Sequence, residues 1–381
     1  MDRKHFDDDH LAFGEAFRAF ADKELVPHYL EWEKAGIAPR EIFSKAGASG
    51  FLGMAVPEEL GGGGVDDFRF NQILAEQVAA AGVTGAGLGI TLHNDTCLPY
   101  FLAYANDEQK QRWLPGIASG ELITAVGMTE PGAGSDLAGI RTSAKRDGDH
   151  YIVNGSKTFI TNGINADLII TVVRTSEDRH KGMSLLIIER GMAGFERGRN
   201  LDKLGLHSQD TAELSFTDVR VPVENLLGEE GSAFAQLTGK LPQERMSIAV
   251  NGVAEARAAF NETLQYVQDR KAFGTSIGSF QNTKFVLAEL VTEIDVAQAF
   301  VDFCVDRLNE GALSAADASK AKYWATELQG RVIDKCLQLH GGYGYMTEYP
   351  IARRYADARV TRIYGGTSEV MKSVISKSLG L

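Results

Sequence analysis

The pattern of apolar residues changes period twice along this chain, and that constrains the fold more than any single motif. In the first third, Phe13, Phe17 and Phe20 recur at helical spacing behind the acidic run "DDD", which suits a helix start. Pro27 is expected to end that run. "PEELGGGGVDD" (57–67) reads as a turn opening a second helix in "FRFNQILAEQVAAAG", and 106–121 as a short helix with a loop. The period then falls to two. "HYIVNGSKTFITNG" places β-formers on both sides of Asn154-Gly155, the dipeptide of a type I′ turn, so a hairpin is expected there. "DLIITVVRT", "MSLLIIER" and "AELSFTDVRVP" follow as strands. Beyond residue 228 the helical period returns, over 243–273, 282–310 and 315–340, with "MKSVISKSLG" closing the chain. The order predicts an α+β protein in three units: an N-terminal helical domain (1–122), a middle small β-barrel or sheet (123–228) and a C-terminal four-helix bundle (229–381).

A chain of 381 residues buries more than one core, and 44% hydrophobic with 24% charged residues is globular composition. The net charge of −12 argues against a partner that presents a phosphate backbone, so no nucleic acid is expected. Cys97, Cys304 and Cys336 are far apart and form no CxxC, which suits a reducing compartment and argues against a cysteine metal site. No basic leader and no apolar run of about 20 residues is present, so the expectation is a cytoplasmic protein without a membrane span.

Each candidate motif has a plain structural alternative. "GAGLG" (85–89) lacks the GxGxxG spacing and a preceding strand, so it is not read as a dinucleotide fingerprint. No GxxxxGK[ST] or HExxH occurs, which leaves metal chemistry without support. "VGMTEPGAGSD" (126–136) offers hydroxyls at Thr129 and Ser135, and Gly132 and Gly134 let backbone N–H groups face a ligand; an ordinary turn between units is the alternative. "TFITNG" (158–163) sets the ring of Phe159 beside the hydroxyl of Thr161, which suits a flat heteroaromatic cofactor or a plain strand end. Arg270 in "RKAFG" can pair a phosphate or simply complement a helix C-terminus. His340, at the glycine break in "QLHGGYGY", reads as structural rather than catalytic.

Together "GMTEPGAGSD", "NGSKTFITNG", "DRKAFG", "FQNTKFVLAEL" and "LQLHGGYGYMTEYPIARRYADARVTRIYGGTSE" resemble the acyl-CoA dehydrogenase family, in order and over nearly the whole chain. The resemblance implies FAD between the β-domain and the bundle, a homotetramer built as a dimer of dimers, an acyl-CoA substrate and electron-transfer flavoprotein as acceptor. Many members carry the catalytic glutamate where this chain has Gly365. A subset, including long-chain and isovaleryl-CoA dehydrogenases, places it on a bundle helix, and "KLPQERMSIA" (240–249) puts Glu244 there. A base can reach the α-proton of a thioester from either attachment point, provided it meets the same carbon. The resemblance assigns Glu244 as base, with a pKa raised by burial, and the Gly365 backbone N–H as donor to the thioester oxygen.

It further implies flavin contacts from Val126, Met128, Thr129, Gly134 and Ser135, from Phe159, Ile160 and Thr161, and from Thr367, Ser368 and Glu369. Arg270, Gln281 and Gln338, Leu339, His340, Gly341 and Gly342 are expected to reach the FAD of a neighbouring subunit. The acyl-CoA path is expected along Ser135, His180, Lys181, Ala235, Pro242, Gln243, Glu244, Arg245, Gly365 and Gly366, with Arg245 near the CoA portion. Ala233 and Ala235 imply room rather than a plug, for a medium to long acyl chain, with branched, terpenoid and steroid side chains as open alternatives. Three readings stay open beside the dehydrogenase: an acyl-CoA oxidase, a dehydrogenase acting on a carrier-protein thioester, and a non-catalytic flavin-binding assembly factor.

Overall fold

A computed structural model of the chain describes residues 3–381. Seven helices open it: α1 (Asp8–Phe20), α2 (Tyr29–Ala35), α3 (Glu41–Ala48), α4 (Phe68–Ala81), α5 (Thr84–Thr91), α6 (Leu98–Tyr104) and α7 (Asp107–Ser119). Local chemistry explains their starts. Asp7 and His10 form a reciprocal cap on α1, and Asn106 with Gln109 does the same on α7. Pro27 does not end the first run. One π turn (Ala21–Leu25) and a 3₁₀ turn (Val26–His28) carry the chain into α2, because a proline in the first positions of a helical turn gives up an N–H that has no partner anyway. The same device recurs at Leu92–Cys97, a π turn leading into Pro99 and α6. "GAGLG" lies inside α5, where the absence of side chains at Gly87 admits Val78 of α4.

The middle unit is a seven-stranded sheet: β1 (Thr124–Gly127), β2 (Ser143–Asp147), β3 (His150–Thr161), β4 (Leu168–Arg174), β5 (Met183–Glu189), β6 (Phe195–Asn200) and β7 (Thr211–Pro222). β4 pairs in parallel with β1 and antiparallel with β5, and β3 lies between β2 and β7. Both faces of β4 and β5 are covered: Ile169, Val173, Leu186 and Ile188 pack under α1–α3, and Ile170, Val172, Leu185 and Ile187 under α6 and α7. That explains why "LIITVV" and "SLLII" read as unbroken apolar runs.

The expected hairpin at Asn154-Gly155 is a misreading. β3 runs straight through the pair, and the β2–β3 turn is at Gly148 (φ +63). Asn154-Gly155 is a bulge in the ladder to β7: Gly155 has φ +146, and Asn154 exchanges two 2.9 Å hydrogen bonds with Asp218.

The last unit contains α8 (Ala233–Asp269), a short β8–β9 hairpin (Lys271–Ala272, Thr275–Ser276), α9 (Gln281–Asn309), α10 (Ala315–His340), α11 (Pro350–Ala358) and α12 (Ser368–Ser378). α8 begins ten residues before the expected 243 and passes through Pro242 without interruption. α8, α9 and α10 pack on one another around an apolar core, α12 closes against α10, and α8 also lies on α4. Among the described residues no helix is long and apolar enough to cross a membrane.

Candidate active site

Glu244 sits on α8 where that helix passes the N-terminal unit, and its side chain is buried, with 8% of the residue exposed. Tyr100 of α6 donates a 2.7 Å hydrogen bond to Oε1. Burial pushes the carboxyl up to about 7, while the Tyr100 hydroxyl and the Arg245 charge pull the other way. Tyr100 escaped the sequence reading because "LPYFLAY" looks like ordinary core. The π turn before it could have been suspected only from Pro99.

Gly365 and Gly366 form a turn with both residues at positive φ (+63 and +93). A Cβ on Gly365 would collide with the Ile248 side chain. Ile248 lies one helical turn beyond Glu244, so the glycine turn approaches the face of α8 that carries the carboxylate. Arg245 is not turned toward an open path: it is buried, its Nη1 donates to Ser319 Oγ of α10 at 3.2 Å, and its Nε has no partner. Gln243 donates to the Asp95 backbone carbonyl at 3.1 Å.

The loop after β1 is braced from beneath. Thr158 N–H donates to Thr129 O (2.9 Å), and the buried Lys157 ammonium donates to Met128 O (3.1 Å) and Glu130 Oε1 (2.8 Å). Glu130 also accepts the N–H groups of Arg141 and Thr142, at 2.7 and 2.9 Å. Val126, Met128 and Thr129 are left half-buried, and Gly134 and Ser135 exposed. No atom lies within 4 Å of where a Cβ would stand on Gly132 or Gly134, so backbone can meet a ligand there. Close by, Phe159 has φ +61 and 68% of its surface exposed. An aromatic held outward by left-handed backbone is costly without a flat partner. Thr161 is half-buried next to it, and Ile160 points into the core.

At the other end of the chain Thr367 caps α12, accepting the Val370 N–H at 3.3 Å, and Glu369 is exposed in its first turn. Ser368 turns inward and donates to Glu327 Oε1 at 2.7 Å, so its hydroxyl is committed within the bundle.

A second group lies on the opposite end of the bundle. Arg270 ends α8, and its guanidinium stands 5.2 Å over the Tyr343 ring. With Tyr266, Gln338, Leu339, His340, Gly341 and Gly342 it lines a cleft of about 450 Å³. His340 bonds the Cys336 carbonyl through Nδ1 (2.9 Å) and stacks on Tyr266 at 4.1 Å. Gln281 is exposed at the start of α9. Phe273, in the turn of the β8–β9 hairpin, was missed; it has φ +52 and is 96% exposed. An aromatic three residues past a surface arginine was the available signal.

His180 and Lys181, on the loop between β4 and β5, come to the start of α8: the His180 ring packs edge-on against Phe234 at 4.8 Å, beside exposed Ala235. Ala233 is packed in the core and opens no space.

Family models described as the N-terminal, middle and C-terminal domains of acyl-CoA dehydrogenase match residues 7–121, 125–219 and 231–380. The chain is 48% identical over 380 residues to the long-chain specific acyl-CoA dehydrogenase, mitochondrial, of Sus scrofa, covering 99% of this chain and 88% of that protein. Among solved structures it is similar to the acyl-CoA dehydrogenase from Geobacillus kaustophilus, with TM-score 0.97 and 49% identity over 99% of this chain and 100% of that one. A chain in the structure of the electron transferring flavoprotein of Acidaminococcus fermentans matches with TM-score 0.95 and 36% identity, covering 100% of this chain and 99% of that one. With its outward aromatic, open glycine loop and buried carboxylate suited to flavin and thioester chemistry, this chain belongs to the acyl-CoA dehydrogenase family, FAD-dependent oxidoreductases that act on a CH–CH bond.

Proposed function

We propose that this chain desaturates a medium- to long-chain acyl-CoA between its α- and β-carbons, with Glu244 as the base. The observation that carries the reading is the Glu244 carboxyl itself, buried, pushed up to about 7, and on the face of α8 that the Gly365–Gly366 turn approaches. A carboxylate of that basicity takes the α-proton near neutral pH. The Gly365 N–H donates to the thioester oxygen as enolate charge develops, a task that needs backbone and no side chain. Bound FAD supplies the acceptor for the β-hydride.

The loop 126–135, Phe159–Thr161 and Thr367–Glu369 hold the flavin end. Arg270, Gln281, Phe273 and the 338–342 turn serve the FAD of a neighbouring subunit in a homotetramer. His180, Lys181, Ala235 and the segment Pro242–Glu244 line the CoA path from the start of α8 inward, and Arg245 backs that segment through its bond to Ser319. The division at 1–122, 123–228 and 229–381 sets this site where three units meet. Electrons leave to electron-transfer flavoprotein, in line with the family and with the Acidaminococcus structure. Three buried free cysteines suit a reducing compartment, the cytoplasm in this reading, and cell fractionation checks it.

The deciding experiment is anaerobic bleaching of the yellow protein by a series of acyl-CoA thioesters, butyryl to stearoyl. The expected outcome is rapid bleaching that is best with medium to long chains. Peroxide formed stoichiometrically under air would make it an oxidase, and no bleaching by any thioester would defeat the reading.

A further inference from the structure

Lys322 is the one charged residue on its face of α10, where Ser319, Thr326 and Gln329 are also buried but neutral. Ala318, Ala321, Ala325, Leu328 and Val332 form a buried stripe there, and Lys322 lies in it with no exposed surface. Among the described residues no carboxylate lies within ion-pair distance of its ammonium. Its one hydrogen bond runs 2.6 Å to the Gly366 carbonyl. Burial pushes the amine down to about 8, the charge of Arg245 pushes the same way, and Glu327 and Glu369, beyond ion-pair distance, pull it back up. A lysine kept in such a place without a carboxylate in direct contact is expensive, and simple packing would be served better by leucine or methionine.

What the ammonium holds is a turn that cannot hold itself. Two consecutive glycines in left-handed backbone have no side chains to anchor them and wide conformational freedom. The flanks are tied down by α10 as well, through the bond from Ser368 to Glu327. One turn earlier on α10, Ser319 accepts from Arg245, the neighbour of Glu244 on α8. Ser319 and Lys322 therefore tie the helix of the base and the turn of the oxyanion donor to a single rigid element.

We propose that Lys322 is a positioning residue, holding the Gly365–Gly366 turn so that the Gly365 N–H meets the thioester whose α-proton Glu244 removes. The proposal rests on the assignment of Glu244 and Gly365 made above. Loss of the ammonium frees the Gly366 carbonyl and lets the donor drift from the developing oxyanion, which lowers the acidity of the bound thioester without touching the base.

The test uses FAD-loaded protein and the variant Lys322→Met, with a 3-thiaacyl-CoA as probe, whose enolate gives a long-wavelength band with flavin. The bound probe should become about tenfold or more less acidic, and kcat should fall roughly 10- to 100-fold with KM changed less than about threefold. Lys322→Arg, which keeps charge and donor, should recover part of both. A merely structural lysine would lower Tm and FAD content and leave the acidity of the probe unmoved; that result overturns the proposal. If Lys322→Met does not load with FAD, Lys322→Gln is read on the same two quantities. Glu244→Gln separates the levels. Wild-type flavin reduction by that variant removes the underlying reading and the proposal together, whereas an inactive Glu244→Gln beside an unaltered Lys322→Met overturns Lys322 alone.

Discussion

In the role proposed for it, Glu244 is suited to neutral pH because its environment disfavours the charge that role needs. Only the ionised form can take a proton, so flavin reduction should rise about tenfold per pH unit below a midpoint near 7 and level off above it. Tyr100 donates to the carboxylate and so favours ionisation; Tyr100→Phe should move the midpoint upward, as read by stopped-flow bleaching across pH. An unmoved or lowered midpoint would contradict this. The same shift has a cost in stability. The folded-state pKa lies above the ordinary carboxyl value, so the contribution is intact below that value and is lost as pH rises through about 7. Asp95, buried on Ser247 and Asn71 and also pushed up to about 7, acts in the same direction. A carboxylate restored by Gly365→Glu in a Glu244→Gln background meets two obstacles, φ +63 and the Ile248 side chain. Left-handed backbone costs a non-glycine residue about 1–2 kcal/mol. Rescue of flavin reduction should therefore be partial, and better when Ile248→Ala is added.

At the scale of elements, the loop after β1 is braced by β3. The Lys157–Glu130 pair is buried beneath the loop after β1, with the lysine pushed down to about 8 mainly by burial. Lys157→Met leaves a buried carboxylate with only backbone donors, and breaking such a pair costs about 3–5 kcal/mol. Denaturant unfolding should show that loss, and FAD should dissociate faster because Met128 loses its anchor. The bulge in β3 is equally constrained. A Cβ on Gly155 would lie 2.6 Å from Thr142 Oγ1, in a backbone conformation reserved for glycine. Gly155→Ala should lower stability by roughly 1–3 kcal/mol.

The whole molecule leaves part of its apolar surface uncovered. Phe285, Val296 and Phe303 of α9 are each more than half exposed and recur at eleven and seven residues, which places them on one helix face. Such a stripe is the mark of a subunit contact. Val296→Asp with Phe303→Asp should convert the proposed tetramer to a smaller species in size-exclusion chromatography with light scattering. An unchanged mass would exclude this face. If Arg270 serves a neighbour's FAD, Arg270→Ala should lower FAD retention more than Tm, and dissociation of the oligomer should do the same.

The order helices, strands, helices was legible because each period is a local property of the chain, whereas the role proposed for the carboxylate in "LPQER" rests on resemblance to the family. The Asn-Gly pair shows where local signals stop. A turn and a bulge both accept positive φ, and only pairing with β7 decided between them. Tyr100, 144 residues from Glu244 in sequence, and Lys322, 44 residues from Gly366, carry no local mark of their roles. A hydrogen bond between distant segments exists only once helices have packed at a particular distance. The sequence by itself thus determined which groups are present and on which elements they ride, while the tertiary structure decided which donors the base and the glycine turn would meet.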